Sequence, residues 1–186
     1  GLEDFLEEIL NLGRIRKQRM RQREIEMKSF LEGIVDSFEN YPGRTNIDIT
    51  VKIKSRLSLV SDDALLKSVF QNLIENAIKY CDDRKPFSEL TITCSRYDDY
   101  VSLVFSDNGL GIAGENLPYV FDLFYRVDSL KEGSGLGLYI VMEALKKLNG
   151  KITAMSRLGI GSEFLVKIPY HEVPVLKIAE KQGRME

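Results

Sequence analysis

Asn72 and Asn76 stand four residues apart in Asn72-Leu73-Ile74-Glu75-Asn76-Ala77-Ile78-Lys79-Tyr80. On a helix that spacing puts both amides on one face, with Lys79 one turn beyond Asn76. A single asparagine in an apolar helix commonly satisfies a backbone group. Two in register with a lysine make a polar strip able to hold phosphate oxygens and a hydrated magnesium ion, which prefers oxygen ligands and keeps several waters. A second segment, Ser106-Asp107-Asn108-Gly109-Leu110-Gly111-Ile112, follows a hydrophobic strand directly. A carboxylate at the strand end can accept a hydrogen bond from an exocyclic amine, and the glycines let backbone approach a ring or phosphate closely. Asp-Asn-Gly is equally at home in an ordinary turn.

A third segment runs Val120-Phe121-Asp122-Leu123-Phe124-Tyr125-Arg126-Val127-Asp128. Its aromatics suit core packing, while Arg126 is a cation able to reach a terminal phosphate. The fourth, Gly133-Ser134-Gly135-Leu136-Gly137-Leu138, leads into a helix. Successive backbone N–H groups at a helix N-terminus suit phosphate binding, aided by the positive end of the helix dipole. The loop lacks the Gly-Lys-Ser/Thr of a Walker motif, and it does not follow a strand as a dinucleotide fingerprint does. Glycines in a lid hinge are the other use.

Taken in this order, the four segments resemble the N, G1, F and G2 boxes of the ATP-binding catalytic domain of sensor histidine kinases, in the Bergerat-fold ATPase/kinase superfamily. Gly159-Ile160-Gly161-Ser162-Glu163-Phe164 is similar to the closing glycine turn of that family, and the match covers about residues 25 to 170. The resemblance implies ATP and Mg²⁺ as cofactors. Asn76 is then the metal ligand, with Asn72 in the metal's hydration shell, and Lys79 and Arg126 contact phosphates, which makes Asn76, Lys79 and Arg126 the implied catalytic group. Tyr80 flanks the adenine and Asp107 bonds its amino group over Gly109 and Gly111. Ala113 to Ser134 forms a mobile lid, and Gly135 and Gly137 place amides at the triphosphate. Ile112, Phe124, Ser134, Leu136 and Leu138 join the nucleotide-binding set as members of the matching motifs.

Gyrase- and chaperone-type relatives carry a glutamate one turn before the magnesium-binding asparagine as general base on water. Here that position is Asn72, which cannot take a proton, and Glu75 is expected about 100° around the helix from Asn76. Transfer to a side chain is favoured over hydrolysis. The family's acceptor histidine sits on a helical hairpin, whereas His171 is the one histidine here and follows the last strand. The acceptor is therefore expected outside these 186 residues, and the chain alone is expected to bind Mg-ATP without autophosphorylating. Implied partners are ATP and ADP, the dimerisation hairpin of the parent kinase and a response regulator. A nucleotide-sensing module without transfer, and a gyrase-like clamp, are the alternatives.

The elements that must position these groups read as follows. Apolar residues at 2, 5, 6, 9, 12 and 15 make one stripe of an opening helix, which resembles the second helix of the dimerisation hairpin and offers a route to a homodimer. Residues 1–23 are assigned to that helix and a linker, 24–170 to the ATP-binding domain, and 171–186 to a tail. Arg14, Arg16, Lys17, Arg19, Arg21 and Arg23 read as a solvated connector. Ser29 is expected to cap a helix through Phe38, and Ile47 to Ile53 alternate as a half-buried strand. Ser61-Asp62-Asp63 opens a helix to about Tyr80. Leu90–Arg96 and Tyr100–Ser106 form a hairpin, a helix spans about Gly135 to Leu148, and strands lie near Lys151–Ser156 and Glu163–Ile168. The sum is an α/β (α+β) fold: a two-layer sandwich of the Bergerat type, with a mixed, largely antiparallel sheet carrying helices on one face, preceded by a helix.

Composition bounds the rest. The chain has 26 basic and 28 acidic residues, net charge −2, and 44% apolar residues, which disfavours a nucleic-acid binder working by bulk charge and disfavours disorder. Two cysteines make neither a zinc site nor a disulfide framework. Without a signal peptide or a membrane-spanning run, the expected location is cytoplasmic, with membrane attachment of the parent left open.

Overall fold

The computed structural model describes residues 2–54, 56–127 and 133–170. Asp128, the 128–132 portion of the expected lid, His171 and the 171–186 tail lie outside the described residues. The order is α1 (Leu2–Lys17), β1 (Gln22–Glu26), α2 (Met27–Asp36), β2 (Asp48–Ile53), β3 (Ser58–Asp62), α3 (Asp63–Lys79), β4 (Glu89–Arg96), β5 (Tyr100–Asp107), α4 (Gly137–Lys147), β6 (Lys151–Arg157) and β7 (Gly161–Pro169). Short 3₁₀ turns sit at Arg44–Asn46 and Leu117–Tyr119.

Five strands form one sheet in the order β2-β4-β5-β7-β6, with β2 parallel to β4 and every other pair antiparallel. Leu90, Ile92 and Cys94 of β4, Val101, Leu103 and Phe105 of β5, and Phe164, Val166 and Ile168 of β7 are all buried. Each set repeats at every second residue and so faces one side of the sheet. Onto that side pack α3, with nine buried residues, and α4, with Ile140, Val141, Ala144 and Leu145 buried. The Phe70 ring of α3 lies 5.7 Å from that of Phe105. The sequence pattern anticipates this layer, the β4–β5 hairpin and the glycine-turn link between β6 and β7, while the β2–β4 and β5–β7 pairings emerge from the structure.

The amino-terminal third departs from expectation. β1 and β3 pair antiparallel in a separate two-stranded sheet, with Ile25 opposite Leu59. Four of the five β1 residues are polar and only Ile25 is buried, so its extended form comes from a distant partner rather than from its own alternation. That strand shifts the next helix: Met27 N donates to Leu57 O (2.9 Å), α2 begins there, and Glu26 is the cap in place of Ser29. The Glu26 carboxylate accepts from Ser29 N (2.9 Å) and Ser29 Oγ (2.6 Å), bonds that hold its pKa below the usual carboxylate range.

The basic stretch is more than a solvated connector. Arg16 donates to Glu143 (2.9 Å) and to the Tyr139 hydroxyl (2.7 Å) on α4. Asp62 accepts from Arg21 N at one oxygen (2.7 Å) and caps α3 through Leu65 N at the other (3.0 Å), and Arg23 pairs with Asp63. The α1 stripe is accordingly divided. Leu12 and Ile15 are buried in this chain's own core and Asn11 bonds Ser68 (3.1 Å), while Leu2, Leu6, Ile9 and Leu10 are exposed. No helix among the described residues is long and apolar enough to cross a membrane.

Candidate nucleotide-binding site

A cavity of about 520 Å³ opens between α3, the end of β5, the described part of the expected lid and the start of α4. Asn72, Asn76, Lys79 and Tyr80 contribute from α3, and Asp107, Gly111 and Ile112 from the end of β5 and its loop. Arg126 comes from the lid, and Ser134, Gly135, Gly137 and Leu138 from the approach to α4. Residues separated by more than sixty positions thus share one concavity. Three others of the expected set stand outside its wall. Leu136 is fully buried in the core. Phe124 turns to α1, its ring 6.3 Å from Phe5. Gly109 acts through its backbone beneath Asp107.

At the end of β5 the cavity wall carries a carboxylate set in tightly packed backbone. Asp107 ends β5 and accepts from Gly109 N at one carboxylate oxygen (2.8 Å), with a further bond from the Ser162 amide. Burial pushes its pKa above the ordinary aspartate value, against the pull of those amides and of the Lys85 charge. Backbone packs tightly around it. A methyl group at Gly109 would stand 2.4 Å from Tyr80 O, and at Gly111, in the left-handed region at φ +69°, 2.1 Å from Arg157 O. Both positions need glycine. The segment is tied down by Leu110 N to Tyr80 O (2.9 Å), Gly159 N to Leu110 O (2.7 Å) and Ile112 N to Ser156 Oγ (2.7 Å).

Another part of the wall is the approach to α4. The first turn of α4 has no side-chain cap, so its leading N–H groups remain for a ligand. Gly135, at φ +76°, folds the chain sharply against Phe124, and Ser134 Oγ accepts from Leu136 N (2.9 Å). α4 accordingly begins at Gly137, two residues later than expected, because the turn precedes it. A methyl group at Gly137 would sit 3.0 Å from Asn72 Oδ1 and 3.9 Å from Asn76 Oδ1, so both amide oxygens face this helix start. Asn72 is also back-bonded, donating to Ser68 O (2.8 Å).

These neutral oxygens fit a magnesium ion that arrives on phosphates with its own waters. Among the described residues no cluster of three or more His, Cys, Asp or Glu side chains could hold a metal.

Three residues of the site escape the sequence reading. Glu75 lines the cavity, contrary to its expected orientation, and one of its oxygens serves both Lys79 Nζ (2.6 Å) and the Tyr41 hydroxyl (2.7 Å). The i,i+4 relation of Glu75 to Lys79 was the available signal. Glu8 of α1 reaches the rim and bonds Ser134. Lys85 lies beneath Asp107, bonded to backbone carbonyls.

A two-layer α/β sandwich with an uncapped helix start, an asparagine pair and a strand-end aspartate around one cavity is the arrangement of a nucleotide-binding catalytic domain. Residues 61–172 match the family described as histidine kinase-, DNA gyrase B-, and HSP90-like ATPase, and the chain belongs to that family. It is homologous to sensor histidine kinases. It is 30% identical over 173 residues to the sensor protein RprX of Bacteroides fragilis (strain YCH46), covering 88% of this chain and 33% of that one. The sensor protein SrrB of Staphylococcus aureus (strain MRSA252) is 30% identical over 177 residues, covering 92% of this chain and 30% of its own. The chain thus spans about a third of the length of these relatives.

Among solved structures, the catalytic domain of the histidine kinase ThkA aligns with a TM-score of 0.70 and 25% identity, over 81% of this chain and 97% of that one. Full-length ShkA in complex with AMPPNP aligns at 0.80 and 22% identity, over 92% and 36%, and shares the fold.

Proposed function

We propose that this chain is the catalytic part of a two-component sensor kinase that binds Mg-ATP in the 520 Å³ cavity and passes the γ-phosphoryl to a histidine of the parent protein outside these residues. The observation that carries it is one cavity lined by Asp107, Asn76, Lys79 and Arg126 together with the uncapped start of α4. Asp107 accepts from the adenine amine, and Tyr80 and Ile112 flank the base. Asn76 holds the metal with Asn72 beside it, and Lys79, Arg126 and the amides from Gly135 to Leu138 take the phosphates. Magnesium supplies charge neutralisation on the phosphates. The residues orient the phosphoryl group and exclude water, which is how most such transfer is catalysed.

In keeping with the homology to sensor kinases, α1 is read as part of a dimerisation hairpin, residues 24–170 as the catalytic unit and a response regulator as the downstream partner. The exposed Leu2, Leu6, Ile9 and Leu10 fit a second helix of the same kind or a second copy. A hydrolytic reading draws on Glu75, which does line the cavity. Its carboxylate is engaged by Lys79 and Tyr41, and the position one turn before Asn76 is an amide, so transfer is preferred.

Calorimetry with Mg-ATP tests the pocket. Wild type binds, and Asp107→Asn, which turns the acceptor toward the adenine amine into a mixed donor, weakens binding on the order of a hundredfold. Equal affinity in the two proteins would sink the adenine assignment.

A further inference from the structure

Lys85 has no part in the motifs that carry the nucleotide reading, yet its ammonium sits where three backbone carbonyls converge. It donates to Asn108 O, to Gly109 O (3.1 Å) and to Ile160 O (2.8 Å), which uses all three of its N–H groups. Two of those carbonyls belong to the loop leaving Asp107, and the third to the glycine turn between β6 and β7. The same two loops already meet at close quarters: a methyl group at Gly161 would stand 2.0 Å from Asp107 O.

Local sequence delivers the lysine to this place. Lys85 N closes a turn onto Asp82 O (2.9 Å). The buried Asp82 carboxylate accepts from Arg84 N (3.2 Å), Nε (2.8 Å) and Nη2 (2.9 Å), a set that holds its pKa below the usual range. Lys85 itself lies in the bend that follows this turn, directly ahead of Pro86. Without the ammonium, the three carbonyl oxygens would lose the donor they share.

We propose that Lys85 is a positioning residue for the adenine end of the site, clamping the loop after β5 to the β6–β7 turn so that Asp107 is presented as an acceptor. This rests on the reading of Asp107 as the adenine-binding carboxylate. A structural brace alone would need only the hydrogen bonds. The positive charge does more, because Lys85 opposes the effect of burial on the Asp107 carboxyl. The other charged side chains on the cavity wall are Glu8, Glu75, Lys79, Arg84 and Arg126. Glu75 and Lys79 are paired with each other, Arg84 is engaged by Asp82, and Glu8 bonds Ser134.

The experiment uses the full chain with Lys85→Met, Lys85→Gln (which retains an N–H donor and loses the charge) and Lys85→Arg. Mg-ATP and Mg-ADP affinities are measured across pH. The Asp107 carboxyl is titrated by ¹³C NMR without nucleotide, its signal assigned by its loss in Asp107→Asn. The expected result is an equal, roughly tenfold loss for ATP and ADP in the Met and Gln variants, since the adenine end is common to both. Their Asp107 midpoint and the acid limb of binding move to higher pH, and both return in Lys85→Arg. An unmoved Asp107 midpoint in the Gln variant overturns the proposal, whatever happens to affinity. Failure of the wild type itself to bind ATP overturns the underlying reading of the pocket instead.

Discussion

A carboxylate held by backbone amides in a confined pocket, as Asp107 is, carries opposite consequences for stability and for binding. Burial raises its pKa above the ordinary value, so the fold favours the protonated form. Its contribution to stability is present at acid pH and is lost as pH rises through the raised pKa. Binding of an amine donor runs the other way, because it needs the ionised acceptor and fades as pH falls through that pKa. Asp107→Asn should therefore match or exceed the wild-type melting temperature at pH 8 while losing nucleotide. Thermal scans beside calorimetry check this, and a markedly lower melting temperature would contradict it. Gly111 faces a stricter demand, from φ +69° and the nearness of Arg157 O. Gly111→Ala should cost about 2 kcal/mol or more in urea unfolding. At this scale the acidic and asparagine motifs are legible from residue type and spacing. Lys85 is not, because a lysine that binds carbonyls looks in sequence like any surface lysine. Glu75 misleads for a related reason: its rotation about α3 suggests another face, but its side chain is long enough to swing to Lys79.

Among the elements, α3, β4, β5, α4, β6 and β7 follow from apolar periodicity and glycine stops, and their positions bring the motifs together. β1 and β3 do not, since their pairing is non-local and leaves only Ile25 buried on β1. The same blind spot hid the Glu26 cap. The role of α1 is divided: its carboxyl half belongs to this domain's core, and its amino half reaches the lid through Phe5 against Phe124 and Glu8 on Ser134. Phe124 holds a positive φ of 62° that a non-glycine residue adopts at some cost, and Gly135 packs against its backbone. Ile15→Ala, at a residue 3% exposed, should destabilise the chain by about 2–4 kcal/mol. Chemical unfolding measures it, and a change below about 0.5 kcal/mol would mean that α1 is not part of the cooperative unit. Ser134→Ala removes the acceptor for Leu136 N and the Glu8 contact together. It should weaken Mg-ATP more than free adenosine, since it acts at the anion end, and competition binding of the two ligands separates these effects.

For the molecule as a whole, the sheet and the helices are scaffold for one cavity, to which sequence-distant segments bring Asp107, Asn72 and Asn76, Lys79 and Arg126, and the start of α4. The helix-capping Glu26 carboxylate and the Asp82 carboxylate in the turn after α3 both have lowered pKa values. Their contribution is present above the ordinary carboxylate range and is lost as pH falls through the lowered values. The central claim is that this cavity hands a phosphoryl group to a histidine rather than to water. The most direct measurement incubates the chain with Mg-ATP labelled at the γ-position, with and without a helical hairpin of the parent protein bearing its histidine. Acid-labile, base-stable label on the hairpin, with little free phosphate from the chain alone, is the predicted result. Steady release of phosphate without the hairpin, and no label on it when present, would contradict the account.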